Sequence, residues 1–285
     1  MKNYLLIINL FFIVTSCKQD KKVSVNLPFF KNKQNLTINK NGSTIKTRFD
    51  TPKGFERIAT KPNTFAYYLQ NFKLKPINTK VHFYNGELKY NQKIHASILD
   101  ISVGNRDLQQ CADATMRLRA EFLYAQKRYD EIHFNFTNGF NVAYYKWRKG
   151  FRLKVKGNKV SWYKTDKKST SYKSFLNYMQ WIFMYAGTLS LDKELKSVTI
   201  ENMQIGDIFI QGGSPGHAII IVDMAKNNSG DKIFMLAQSY MPAQDIHILK
   251  NLNNAIISPW YKAKNLEVLN SPEWQFTKKD LKRFN

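Results

Sequence analysis

Cysteine is scarce in this sequence. Only Cys17 and Cys111 occur among the 285 residues, so at most one disulfide can form, and a disulfide-rich scaffold is excluded. A chain of this length can bury a sizeable core without such cross-links. Side-chain packing must therefore hold the fold, in one large domain or in two small ones.

Long hydrophobic runs are also absent, and the apolar stretch over residues 5–14 is too short to span a bilayer. It follows the basic start Met1-Lys2-Asn3 and leads into Val14-Thr15-Ser16-Cys17, after which the chain turns polar. This arrangement resembles a bacterial lipoprotein signal peptide with its lipobox. The resemblance implies cleavage after residue 16 and acylation of Cys17. An ordinary secretory signal with an incidental cysteine is the alternative, and both interpretations predict export.

Acidic residues are few. Aspartate and glutamate total 21 against 44 lysines and arginines, which gives a formal net charge of +23, and such a surface attracts polyanions. For an exported protein, the candidates are anionic lipid headgroups, peptidoglycan and acidic envelope glycans. Nucleic acid is disfavoured by the export signal and by the lack of a nucleic-acid-binding motif. A general lysine bias explains the charge equally well, so charge alone assigns no function.

Composition divides the chain into three parts. We predict a signal peptide over residues 1–16, a lipidated N-terminus with a flexible polar tether over residues 17–46, and a single α+β globular domain over residues 47–285. The signal and Cys17 predict a location in the cell envelope. There the protein is expected to be held by its lipid, with the outer membrane as the expected membrane.

Two helices and a sheet are predicted within the globular domain. One helix, capped by Asp107, covers residues 107–126 and carries Cys111 on its apolar face. A second, apolar helix covers residues 171–189. Four short hydrophobic runs then predict strands of an antiparallel sheet, at residues 208–210, 218–222, 233–236 and 246–249. The predicted architecture is helices packed on a small antiparallel sheet.

The most informative stretch is residues 204–223. A strand entered by Gly206-Asp207 is followed by a Gly/Pro-rich loop and then by His217, which opens the next strand. This order resembles the second half of papain-like hydrolases of the NlpC type, which are cell-wall peptidases and amidases. The resemblance implies a papain-like core with a large insertion that includes the second helix. It also implies a catalytic set of Cys111, His217 and Gln238.

The hairpin that follows His217 predicts how that histidine is held. If the turn lies near residues 227–230, residue 217 lies opposite a position around 238, and cross-strand neighbours are within side-chain reach. We expect Gln238 to accept the Nδ1 hydrogen of His217. This hydrogen bond would leave Nε2 free to take a proton from a thiol.

Cys111 is the predicted nucleophile. A position near a helix N-terminus and an adjacent imidazolium both stabilise a thiolate, so the pKa of Cys111 is expected to fall. Backbone amides at the start of the helix, with the side chain of Gln109 or Gln110, are expected to form an oxyanion hole.

A second resemblance covers almost the full length of the chain. Residues 110–114, 215–217 and 237–244, which read QCADA, PGH and AQSYMPAQ, resemble words found in Bacteroidetes lipoproteins that are grouped only as a domain of unknown function. This resemblance implies a family but no activity.

Each predicted site residue also has a structural interpretation. Cys111 fits core packing, His217 fits a sheet-edge position, and Gln238 fits backbone hydrogen bonding at a strand end. The remaining histidines are scattered without the spacing of metal ligands, so no metal or cofactor is predicted. They are His82, His95, His133 and His247.

The leading hypothesis is a papain-like cysteine amidase or peptidase that acts on peptidoglycan peptides or on another envelope amide. Two alternatives remain open. One is a catalytically silent envelope-binding lipoprotein, and the other is an acyl or thioester hydrolase that acts on lipids.

Overall fold

The computed structural model describes residues 38–285. The predicted signal peptide, Cys17 and the tether up to residue 37 lie outside this range. Residues 38–46, assigned above to the tether, belong to the folded body, because Ile38 pairs with Phe49 and Ile45 is fully buried. Within residues 38–285, no helix is both long enough and apolar enough to cross a membrane.

Six α-helices are present in the described chain. They are α1 (Ile45–Arg48), α2 (Phe65–Gln70), α3 (Cys111–Ala125), α4 (Tyr144–Arg148), α5 (Tyr172–Tyr185) and α6 (Thr188–Glu194). The strands in the first part of the described chain are β1 (Phe55–Arg57), β2 (His95–Ile98), β3 (His133–Asn135), β4 (Asn141–Ala143), β5 (Phe151–Lys156), β6 (Lys159–Lys164) and β7 (Lys196–Ser197). The later strands are β8 (Ile208–Gln211), β9 (His217–Asn227), β10 (Lys232–Gln238), β11 (His247–Leu249), β12 (Tyr261–Lys262), β13 (Val268–Asn270), β14 (Gln275–Thr277) and β15 (Leu281–Arg283).

A nine-stranded antiparallel sheet organises the fold. Its main order is β2-β11-β10-β9-β8-β15-β7, and β1 and β12 add to β9 and β10. The four predicted strands all lie in this sheet as β8 to β11, so the α+β class and the antiparallel pairing are confirmed. The sheet is larger than predicted because short strands that precede β8 and follow β11 in the sequence extend it.

Strand β9 lies at the centre of the core. All nine residues from His217 to Ala225 are buried, which is expected of a strand covered on both faces. Helices α2 and α3 pack against β9. Aromatic side chains of β8 and β14 also pack together, with the ring centroids of Phe209 and Phe276 6.0 Å apart.

The first long helix begins later than predicted. Asp107 does not cap it, because Asp107 Oδ1 accepts hydrogen bonds from Gln110 Nε2 and from the backbone N–H of Ala243. Gln110 is the N-cap, and its backbone N–H donates to Asp113 Oδ2 at 3.1 Å. Cys111 is therefore the first residue of α3 rather than a residue late in the first turn.

The second predicted helix is two helices. Ser171 caps α5, since its side chain accepts the backbone N–H of Ser174. The helix ends at Tyr185, and α6 starts at Thr188 after Gly187. A continuous hydrophobic pattern concealed this break.

Candidate functional site

Cys111 lies where α3 meets β9. Helix α3 packs against β9, and the backbone N–H groups of Ala112, Ala218 and Cys111 itself are near enough to the thiol to act on its pKa. Because Ala218 directly follows His217, the cysteine side chain lies near the start of β9. Only 6% of Cys111 is exposed.

Burial dominates the acidity of this thiol. It raises the pKa of Cys111 to about 11, the nearby Asp113 carboxylate raises it too, and the three backbone N–H groups lower it only in part. The predicted fall in the pKa of Cys111 is therefore wrong for this conformation. The thiol is protonated at neutral pH because loss of water around the sulfur outweighs the helix N-terminus.

His217 opens β9 and is held by Gln238. His217 Nε2 lies 3.0 Å from Gln238 Oε1, and only 1% of the histidine is exposed. Burial lowers the pKa of His217 to about 4, while the hydrogen bond to Gln238 Oε1 raises it and the charge of Lys89 lowers it. The imidazole is neutral at neutral pH.

The predicted contact between His217 and Gln238 is present, but two details were wrong. The ring nitrogen is Nε2 rather than Nδ1. The register also differs, because Ala237 pairs with Ile220 after an irregularity between Met235 and Leu236. Gln238 is thus a diagonal neighbour of His217 and not its direct partner, and such neighbours are still within reach of long side chains.

Two further residues extend the chain of polar contacts. Gln238 Nε2 donates to Glu273 Oε2 at 2.5 Å, and Lys89 Nζ donates to Glu273 Oε1 at 2.7 Å. Sequence reasoning missed both, because Lys89 and Glu273 are separated by 184 positions and neither belongs to a recognisable motif.

Aromatic rings cover the histidine. The ring centroids of Tyr240, Trp274 and Phe276 lie 4.8, 5.4 and 5.9 Å from that of His217. Trp274 Nε1 donates to Gln211 Oε1 at 2.9 Å, which ties the cover to β8. The cover and the sheet together keep water away from the imidazole.

The two glutamines proposed for an oxyanion hole differ in their availability. Gln110 Nε2 is engaged by Asp107. Gln109 is buried, its Oε1 accepts from Arg117 at 3.0 Å, and its Nε2 has no partner among residues 38–285. Of the two side chains, Gln109 is the one whose amide NH2 group makes no hydrogen bond within the described residues.

Asp113 is the remaining buried group near the thiol. Burial raises the pKa of Asp113 well above its usual range, against backbone N–H groups that lower it. Its Oδ1 has no hydrogen-bond partner within the described residues.

Metal binding at the site has no support in the described part of the chain. No group of three or more histidine, cysteine, aspartate or glutamate side chains there is placed to hold an ion.

The fold and the site define an α+β protein in which a histidine at a strand start is held by a glutamine at a strand end, and a helix that begins with a cysteine packs against the histidine strand. The family described as "Domain of unknown function (4846)" matches residues 45–283, and the chain belongs to this family. No curated protein and no solved structure matches the chain.

Proposed function

We propose that this protein is a cysteine hydrolase that cleaves amide bonds by a papain-like mechanism. The observation that carries the proposal is that the start of α3 and the start of β9 bring the candidate residues into one region. The Cys111 side chain, at the start of α3, lies near the Ala218 amide, and His217, the residue before Ala218, is held through Nε2 by Gln238. A nucleophile, a base and a group that orients the base are the parts that such catalysis requires.

The proposed reaction assigns one role to each group. With Nε2–H donated to Gln238, the lone pair of His217 is on Nδ1, which accepts the proton of the Cys111 thiol. The sulfur attacks the amide carbonyl carbon, and the new oxyanion is stabilised by backbone N–H groups at the start of α3. The tetrahedral intermediate then collapses, and the amine leaves with the proton from the imidazolium. Water, deprotonated by His217, hydrolyses the thioester and releases the acid.

The buried state is a resting form in this proposal. Thiol and imidazole are both neutral, with pKa values of about 11 and about 4. In this proposal, the substrate displaces part of the aromatic cover. Water then reaches the thiol and the imidazole, and the two groups can become charged. A closed site of this kind also protects a thiol from oxidation in an exported protein.

The proposed substrate is a peptide amide of peptidoglycan or another envelope amide. This choice rests on the lipoprotein-like start of the chain, with residues 1–16 as signal peptide and Cys17 as the lipid anchor, and on the resemblance to cell-wall hydrolases. An anchored enzyme would act within reach of its tether from the membrane. The Cys17→Ser variant is expected to leave the membrane fraction, which immunoblotting of fractionated cells would measure.

The alternative with support in the structure is a catalytically silent binding protein. The small exposed fractions of Cys111 and His217 favour it, because buried cysteine and histidine also serve as plain core residues. The two proposals differ in whether the thiol reacts.

Hydrolysis can be tested on purified peptidoglycan. Wild type is expected to release new amino groups over time, and Cys111→Ala is expected to release none, because the nucleophile is gone. His247→Gln provides a matched control in which a buried histidine outside the cluster is replaced. Release by Cys111→Ala at the wild-type rate would show that another group is responsible. No release by wild type would exclude this substrate.

A further inference from the structure

The Gln238 side chain uses both ends of its amide. Oε1 faces His217 Nε2 at 3.0 Å, and Nε2 faces Glu273 Oε2. An amide held by an imidazole alone can turn over, because a ring nitrogen is a donor in one tautomer and an acceptor in the other. The second contact removes that freedom.

Glu273 decides the direction of the whole chain of hydrogen bonds. An ionised carboxylate only accepts hydrogen bonds, so the amide NH2 group of Gln238 must point toward Glu273. Oε1 of Gln238 must then point toward His217, and His217 Nε2 must carry the hydrogen. The lone pair is left on Nδ1, where a base is needed.

Lys89 forms an ion pair with Glu273. The Lys89 ammonium is 2.7 Å from the second oxygen of Glu273, and only 6% of the lysine is exposed. Lys89 is buried and Glu273 is partly buried, so each stabilises the charge of the other, and loss of Glu273 leaves a buried lysine without its partner. The chain of hydrogen bonds therefore ends in a lysine, which can only donate, and a carboxylate, which can only accept.

We propose that Glu273 and Lys89 are positioning residues that select the Nε2–H tautomer of His217 through Gln238. The catalytic meaning of this selection rests on the proposed hydrolase function. The selection itself is a property of the hydrogen-bond chain and holds whether or not the protein is an enzyme.

Glu273→Gln gives a shape-conserving test, because it reverses the chain. Lys89 can only donate, so the amide oxygen at position 273 must face Lys89 and its NH2 group must face Gln238. Gln238 then turns its oxygen toward position 273 and its NH2 group toward His217. The expected result is a switch of His217 to the Nδ1–H tautomer.

The double variant Gln238→Glu/Glu273→Gln restores the original direction. The carboxylate at position 238 accepts from the amide at position 273 on one oxygen and from His217 on the other. His217 is expected to return to the Nε2–H tautomer. A variant pair that inverts and restores one tautomer separates direction of hydrogen bonding from general structural damage.

Nitrogen-15 NMR of the histidine rings reports the tautomer directly, on full-length protein at neutral pH with His217→Gln used to assign the signals. His247 is an internal control, since its Nδ1 lies 2.8 Å from the Asp245 carbonyl oxygen and its tautomer is expected to be Nδ1–H in every variant. The proposal is overturned if Glu273→Gln retains the wild-type His217 pattern. It is also overturned if the double variant fails to restore that pattern while the His247 signals show an intact fold.

Measurements of thiol reactivity distinguish the positioning role of Glu273 and Lys89 from the proposed hydrolase function. A tautomer switch with unchanged thiol reactivity would support the positioning role of Glu273 and Lys89 and would contradict catalysis by His217. Loss of reactivity in Glu273→Gln without a tautomer switch would overturn the positioning role of Glu273 and Lys89 without contradicting the proposed hydrolase function. If Glu273→Gln does not fold, the wild-type signals decide, because an Nε2–H tautomer of His217 supports the proposal and an Nδ1–H tautomer overturns it.

Discussion

Two histidines on strands of one sheet are similarly buried but have different hydrogen-bond partners. His217 opens β9, and His247 opens β11, which lies two strands away beside β10. Burial is the main cause that lowers the pKa of His217 to about 4 and that of His247 to about 3. Both rings are neutral at neutral pH.

Their hydrogen bonds differ. His247 Nδ1 lies against the Asp245 carbonyl oxygen, and its Nε2 has no partner among the described residues. His217 makes its hydrogen bond through Nε2, to Gln238, and it precedes Ala218, whose backbone N–H lies near the Cys111 thiol. Burial therefore makes an imidazole neutral in both places, but only the partner and the neighbouring thiol make one of them a candidate base.

The largest expected difference between the two histidines is in catalysis. His217→Ala is expected to lower kcat for amide hydrolysis by roughly 10²- to 10⁴-fold, the usual contribution of a general base. His247→Gln is expected to change it by less than about threefold, since a base outside the reacting pair transfers no proton. Steady-state kinetics on a peptide substrate measures both. Comparable losses in the two variants would show that His217 has no special role.

Acid stability should show that the histidines are alike. A folded-state pKa below the ordinary value of 6.5 means that the unfolded chain takes up the proton first. The stabilising contribution is thus complete above about pH 6.5 and is lost as pH falls toward the folded values. Each histidine contributes a slope of about 1.4 kcal/mol per pH unit in that window.

His247→Gln should remove one of these two slopes. Urea denaturation at several pH values between 4 and 7 gives the free energy of unfolding for wild type and variant. A variant whose stability falls as steeply as that of wild type would contradict the buried neutral state of His247.

A smaller effect is expected at Ser239, which follows Gln238 and holds this end of β10 in place by hydrogen bonds. Ser239 Oγ donates to the Gln109 or Gln244 carbonyl oxygen and accepts the Gln244 backbone N–H. Ser239→Ala leaves buried groups without a partner, at a cost of roughly 1–3 kcal/mol in the free energy of unfolding. The exposed Ser161→Ala is the control, with an expected change below about 0.5 kcal/mol. Equal changes in the free energy of unfolding for the two variants would show that the Ser239 hydrogen bonds do not stabilise the fold.

The smallest expected effect concerns the cover over His217. Trp274→Ala removes one ring of the cover and is expected to raise the labelling rate of Cys111 about threefold, because thiol reactivity follows access. Trp162→Ala, in the β5–β6 hairpin, should leave the rate unchanged. A slower rate in Trp274→Ala would show that the ring supports the site rather than shields it.

Local pattern predicted much of the sheet. Strands β8 to β11 appear in the sequence as apolar runs bounded by glycine, asparagine and aspartate, and the turn between β9 and β10 falls at residues 228–231, near the predicted place. Helix α5 follows its serine cap. These features depend on neighbours in sequence, which is why pattern finds them.

Features that depend on distant residues were not predictable in detail. Asp107 has the spacing of a helix cap, but Ala243, 136 positions away, engages it, so α3 starts later. An irregularity in the β9–β10 pairing changed the register, and Nε2 rather than Nδ1 of His217 meets Gln238. Lys89 and Glu273 come from loops, where no periodicity marks them, and only the folded chain brings them together.

The most direct test of the central claim is the reactivity of the Cys111 thiol. In a Cys17→Ser background Cys111 is the only thiol, and labelling by iodoacetamide at pH 7 can be followed by mass spectrometry. We expect labelling to be at least about tenfold faster with His217 present than in His217→Ala, because the imidazole takes the thiol proton during the reaction. Equal, slow labelling of the two proteins would contradict a catalytic Cys111–His217 pair.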